Sequence, residues 1–192
     1  DLAKPEYAKL LVAINPTTST PGLAWMLATV GHFGADKFSD YWKTLVKGGA
    51  KIASGWTEAY NTDFSAGEGK GAYPIVVSYA SSPSYTVSKD GASTTTAALL
   101  DTAFRQVEYA GVLKGAANPA GGQAFINWML SKNVQADIPK KMYMYPVDSS
   151  VQLPEALAKF GPLAEKPVEV APDKIAAERE QWLKLWASAV GK

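Results

Sequence analysis

The chain reads as an α/β lobe built on a largely parallel sheet. Three short apolar runs each end in a turn or polar loop, the first two leading into helical patterns, and strand–helix alternation of that kind is the signature of parallel α/β folds. Each run is also too short to be a buried helix and ends at glycine, proline or hydroxyl residues.

The first run, residues 9–14 (KLLVAI), is almost wholly apolar, as a strand covered on both faces should be. Asn15-Pro16 turns the chain. Hydroxyl residues Thr17 to Thr20 then precede Pro21, and a hydroxyl N-cap followed by proline at the first helical position predicts a helix start. That helix is expected over 21–30, stopped by Gly31 or Gly34. Phe38, Tyr41, Trp42 and Leu45 repeat at helical spacing over 38–46, before Gly48-Gly49. Residues 51–54 read as a second strand, 57–64 as a helix, and 73–79 (YPIVVSY) as a third strand after the glycine-rich loop 67–71.

The second half differs in character. Residues 88–96, rich in Ser and Thr, are expected as an exposed loop, and 106–113 (QVEYAGVL) alternate like a strand. Asn118-Pro119 opens a helix carrying Phe125, Ile126, Met129 and Leu130; 139–146 is expected to be irregular. A short helix enters through Pro154, and a last one runs from 174 to 190, with Ile175, Trp182, Leu185, Trp186 and Ala189 on one side.

Composition removes several functions. A net charge of +1 over 192 residues gives no basis for nucleic-acid binding. With no cysteine there is no thiolate chemistry, and one histidine, His32, cannot build a histidine-rich metal site. No apolar run approaches the roughly 20 residues that span a bilayer. The polar opening, Asp1 to Glu6, is not a signal peptide and reads as the start of a mature or truncated chain. No Gly-x-Ser-x-Gly motif is present, and His32, expected just past the first helix, has no catalytic company, so the chain is expected not to be an enzyme.

Three features carry the functional reading. At 15–22, a strand end, a hydroxyl loop and a helix N-terminus bring backbone N–H groups, Ser19 and Thr20 to one place, which suits a phosphate or other polar group; a plain helix cap explains the same residues. Gly55-Trp56 stands at the second strand end, where ligand clefts of open α/β sheets lie, although Trp56 also fits a core position. The third strand ends in a polar loop bracketed by Tyr79 and Tyr85, and Tyr143 with Tyr145 forms a further aromatic pair. Aromatic faces hold flat rings and cations.

The runs 15–22 (NPTTSTPG), 54–60 (SGWTEAY), 78–85 (SYASSPSY), 144–147 (MYPV) and 177–182 (AEREQW), in this order, resemble the thiamine-binding proteins of ABC importers, which have the two-lobed, type II periplasmic-binding fold. The resemblance covers nearly the whole chain. It implies one complete α/β ligand-binding lobe, residues 1–105, followed by a hinge return strand and C-terminal helical part of the other lobe, 106–192. Most of the N-terminal lobe is then missing. It implies a ligand site of Ser19, Thr20, Gly22, Trp56, Tyr79, Tyr85 and Tyr143, with Ser19 at the phosphate or hydroxyethyl end. Tyr143 stands where the family usually has tryptophan, and the 64–73 loop is longer than the family's turn. The implied ligand is thiamine or a thiamine phosphate, with no cofactor. The implied partners are importer membrane subunits, met by a monomer in the periplasm or outside the cell, a lipid anchor on a missing N-terminal segment being left open. The alternative within the same superfamily is a ferric-ion binder using Tyr79 and Tyr85 as paired phenolates.

Overall fold

A computed structural model describes residues 1–67 and 70–192. Gly69 of the glycine-rich loop therefore lies outside the described residues. The chain opens with a one-turn helix, α1 (Pro5–Ala8), and then β1 (Leu11–Ile14), all four of whose residues are buried. Helices α2 (Thr20–Phe33) and α3 (Phe38–Lys47) lead to β2 (Lys51–Ala53). A wide-turned helical segment (Glu58–Asp63) follows, and then β3 (Ile75–Val76).

The three expected strands form one parallel sheet in the order β2-β1-β3. Ile14 pairs with Ala53 on one side of β1, and Val12 pairs with Val76 on the other. With β1 central, its apolar side chains have no wet face, which is why the 9–14 run lacks alternation. β3 is shorter than the expected 73–79 because Tyr73 turns to a bridge with Phe64, while Val77 N–H still donates to Val12 C=O at 3.0 Å.

α2 runs through Gly31 and stops at Gly34, whose φ of 84° is the left-handed stop that glycine takes without steric cost. Gly31 is used for packing: a Cβ there would lie 2.4 Å from a Val168 methyl. His32 therefore sits in the last turn of α2 rather than beyond it. The core gathers β1 with Met26, Phe38, Trp42, Leu45, Trp182 and Trp186, the rings of Trp42 and Trp186 meeting edge to face. Trp42 N–H donates to Thr29 Oγ1 at 3.0 Å, and that hydroxyl donates to Met26 C=O at 2.6 Å, so this large ring is buried with its polar edge satisfied.

The second half holds α4 (Pro119–Met129), α5 (Lys132–Lys141), α6 (Glu155–Phe160) and α7 (Pro172–Val190). α7 packs against α3, placing Trp182 and Trp186 in the core around β1. Leu185, expected on that same side, is 39% exposed, because one residue before Trp186 lies about 100° around the helix. Two further expectations are corrected. Residues 106–113 form no regular element and are exposed, with no ladder partner among the described residues. Their alternation fixes two faces but supplies no neighbouring strand. The 139–146 stretch is not wholly irregular either, since α5 extends through Pro139 to Lys141.

The interlocked tryptophans generate a direct test. Trp186→Ala is expected to cost about 3–5 kcal/mol of unfolding free energy, as removal of a fully buried aromatic does. Urea denaturation checks it; a loss below about 1 kcal/mol would show that α7 does not complete the core.

Candidate functional site

Because the sheet is parallel, the C-terminal ends of β1, β2 and β3 lie along one edge, and three loops leave from it side by side. The central loop is the hydroxyl run. Asn15 Oδ1 accepts from Thr17 N–H (2.9 Å) and Thr17 Oγ1 (2.8 Å), which folds the turn. Ser19 is the N-cap of α2 but its side chain makes no capping bond, and Leu23 N–H reaches Ser19 C=O at 2.9 Å. The N–H groups of Thr20 and Gly22 make no hydrogen bond among the described residues. A cavity of about 240 Å³ lies over this turn, lined by residues that include Thr18, Ser19 and Thr20. Gly22 has a packing reason of its own: a Cβ there would sit 2.7 Å from Ile14 C=O, so only glycine lets α2 start this close to the end of β1.

The β2 loop is clasped to the central one. Thr18 Oγ1 donates to Ser54 C=O at 2.5 Å. Ser54 N–H and Oγ both donate to Glu58 Oε2, at 2.8 and 2.6 Å. Lys51 Nζ stands 3.2 Å from the other Glu58 oxygen and 2.6 Å from Asp63 Oδ2. Ser54, two residues before Trp56, thus has all its polar groups committed. The carboxyl of Glu58 is held at about 2, chiefly by the Ser54 hydroxyl, then by Ser54 N–H and Lys51.

Trp56 is half-buried at the rim of the core, which joins the two readings open from sequence. One face stacks on Tyr60 at 4.8 Å and 11°, and its N–H donates to Ser78 Oγ at 2.9 Å. Tyr79 lies tilted beside it, ring centres 6.1 Å apart. From the same β3 loop, a short 3-10 turn (Ser82–Tyr85) carries Tyr85 to Tyr143, whose rings meet edge to face at 4.5 Å. Tyr85 O–H donates to Pro139 C=O at 3.0 Å. Tyr79, Tyr85 and Tyr143 are 46%, 47% and 58% exposed, so each offers a face to an incoming ring.

The structure therefore brings together Trp56 with Tyr79, and Tyr85 with Tyr143, and sets the Ser19–Thr20 loop beside Trp56 through Thr18 and Ser54. A larger groove of about 570 Å³, lined by residues such as Leu100 and Leu163, includes none of these groups. Tyr60, Ser78 and Glu58 were missed from sequence. The four-residue spacing of Trp56 and Tyr60 was the available signal for the stacked pair. Burial holds both the Tyr79 and Tyr85 phenols above their ordinary pKa, and Tyr145 is pushed up to about 12, all of which opposes phenolate formation.

Tyr143 has a φ of 59°, the one positive φ at a residue other than glycine among the described residues. It follows Met142, the C-cap of α5, at the position where helices usually place glycine. For an L residue this conformation costs about 1–2 kcal/mol.

A family model described as a bacterial extracellular solute-binding protein matches residues 1–163. The thiamine-binding periplasmic protein of Escherichia coli (strain K12) is 32% identical over 179 residues, which is 93% of this chain and 52% of that protein. The thiamine-binding periplasmic protein of Brucella melitensis biotype 1 is 30% identical over 195 residues, 100% of this chain and 56% of the relative. A solved periplasmic thiamin binding protein superposes with a TM-score of 0.71 at 26% identity, over 95% of this chain and 55% of that one. The chain spans about half the length of the curated relatives it matches.

The Ser54 clasp gives the loop edge a pH signature. A carboxyl whose folded pKa is lowered stabilises the fold above its ordinary value near 4.5, and the contribution is lost as pH falls through about 2. Glu58→Gln should unfold at a lower temperature than the parent at pH 7, with the gap closing between pH 4.5 and 2. Thermal unfolding at several pH values checks this; a gap unchanged down to pH 2 would contradict it.

Proposed function

The chain belongs to the bacterial extracellular solute-binding protein family, and we propose that it is the ligand-closing lobe, with part of the second lobe, of an extracytoplasmic thiamine-binding component of an ABC importer. Residues 1–105 would form the ligand-binding lobe, its core completed by α7, and the exposed 106–113 segment would lead to the part belonging to the other lobe. The observation that carries the reading is the meeting of three parallel strand ends, where exposed aromatic faces and an uncapped hydroxyl turn share one edge of the sheet.

Thiamine joins a flat pyrimidine to a thiazolium ring with a fixed positive charge. Trp56, Tyr79, Tyr85 and Tyr143 would take the rings, each cation–π or stacking contact contributing about 0.5–2 kcal/mol once water is excluded. Ser19, Thr20 and the free N–H groups that open α2 would take a hydroxyethyl or phosphate oxygen, helped by the positive end of the helix. The names of the relatives support the choice of ligand. The protein works as a binding partner, not an enzyme: a monomer in the periplasm or outside the cell, delivering ligand to membrane subunits, and the described residues include no helix long and apolar enough to cross a membrane.

Enclosure needs an opposing wall. The 106–130 stretch offers surface for one: Tyr109 is 91% exposed and Leu113 81%, and α4 has no buried residue. That exposed apolar surface supports a second lobe built with the further length present in the relatives. The ferric-ion alternative is opposed by Tyr85, whose hydroxyl is committed to Pro139 C=O, and by the raised pKa of both phenols.

Calorimetric titration of variants in the full-length polypeptide tests the division of labour. Trp56→Ala should weaken thiamine and its phosphates alike, by about 2- to 30-fold. Ser19→Ala should weaken the phosphate esters more than thiamine itself, since a charge-assisted hydrogen bond is the stronger loss. Equal losses for all ligands at Ser19 would remove its phosphate role, and no loss at Trp56 would remove the aromatic one.

A further inference from the structure

We infer that Ser81 is a positioning residue, which holds Tyr143 in its left-handed conformation so that the Tyr143 ring stands as a wall of the cleft. The inference rests on the reading of the site proposed above. It begins from a choice of residue that helix termination does not explain. α5 needs a left-handed residue after Met142, and glycine would supply that without steric penalty. A tyrosine there keeps its place only if its surroundings hold it.

They do so from several sides. Ser81 is 3% exposed, and its Oγ–H donates to Tyr143 C=O at 3.0 Å. Ser81 is itself fixed: its C=O accepts from Ser84 Oγ at 2.7 Å and from Ser84 N–H at 3.0 Å. Close packing adds to this, since a Cβ at Gly161 would lie 3.1 Å from Ser81 Cα. On either side of Tyr143 the chain is anchored, by Tyr85 O–H on Pro139 C=O at 3.0 Å and by Tyr145 O–H on Gly161 C=O at 2.6 Å. The ring meets Tyr85 edge to face and is 58% exposed. A buried hydroxyl from the β3 loop thus grips the strained backbone of a residue whose side chain points away from the core. The strain makes sense if the ring is wanted in that place and not elsewhere.

The test uses Ser81→Cys, which keeps the volume and weakens the donor, in the full-length polypeptide. Thiamine affinity should fall about fivefold, as the loss of one hydrogen bond allows. In a Tyr143→Gly background, already weakened by loss of the ring, Ser81→Cys should cause no further loss. Tyr143→Gly alone should leave thermal stability unchanged or raised. Equal losses in both backgrounds, or no loss in the first, would overturn the inference. The ¹³Cα chemical shift of Tyr143 in ligand-free protein gives an arm independent of thiamine. It should move away from its left-handed value in Ser81→Cys, and an unmoved shift would also overturn the inference. Failure of the parent protein to bind thiamine would instead sink the functional reading, leaving the chemical-shift arm to decide the role of Ser81.

Discussion

The parallel register of β1 between β2 and β3 is the constraint on which the rest depends. It forces three successive chain segments to end at the same edge, so that loops distant in sequence become neighbours. Thr18 and Ser54, 36 residues apart, meet only because Ile14 is paired with Ala53. A central parallel strand must be apolar on both faces, and β1 meets that demand with Leu11, Val12, Ala13 and Ile14. The helices that cover it follow: α2 starts hard against the strand end through Gly22, and α3 and α7 close the core with interlocked tryptophans.

Upon that frame the loop edge combines two kinds of group. Locked elements sit at the base: Trp56 stacked on Tyr60 and bonded to Ser78, and Ser54 held by Thr18 and Glu58. Open elements face outward: the faces of Tyr79, Tyr85 and Tyr143, and the uncapped turn at Ser19. Such a division suits a small ligand with a flat cationic part and a polar tail. Rigid supports limit the entropy lost on binding, while the exposed faces wait for an apolar partner.

Sequence patterns carried much of this. The three strands, the proline-opened helices and the gathering of hydroxyl and aromatic residues at the strand ends were legible, because apolar run length and turn chemistry are local signals. What escaped was set by tertiary partners. The alternation over 106–113 distinguishes two faces but cannot say whether a neighbouring strand exists. Pro139 suggested irregular chain, yet it lies in the last turns of α5, where the helix is about to end anyway. The left-handed Tyr143 had no sequence signal at all, since its conformation is imposed by Ser81 and the α5 end. Gly22 was singled out for a ligand and is also required by backbone packing against Ile14.

On the proposed function, the loop edge captures a flat cationic ligand through aromatic faces, Trp56 foremost. Tryptophan fluorescence of the full-length polypeptide, titrated in parallel with thiamine and with ferric ion, tests it most directly. Saturable quenching by thiamine is expected, with no tyrosinate-to-iron charge-transfer band. A visible band on adding iron, with no saturable response to thiamine, would contradict it.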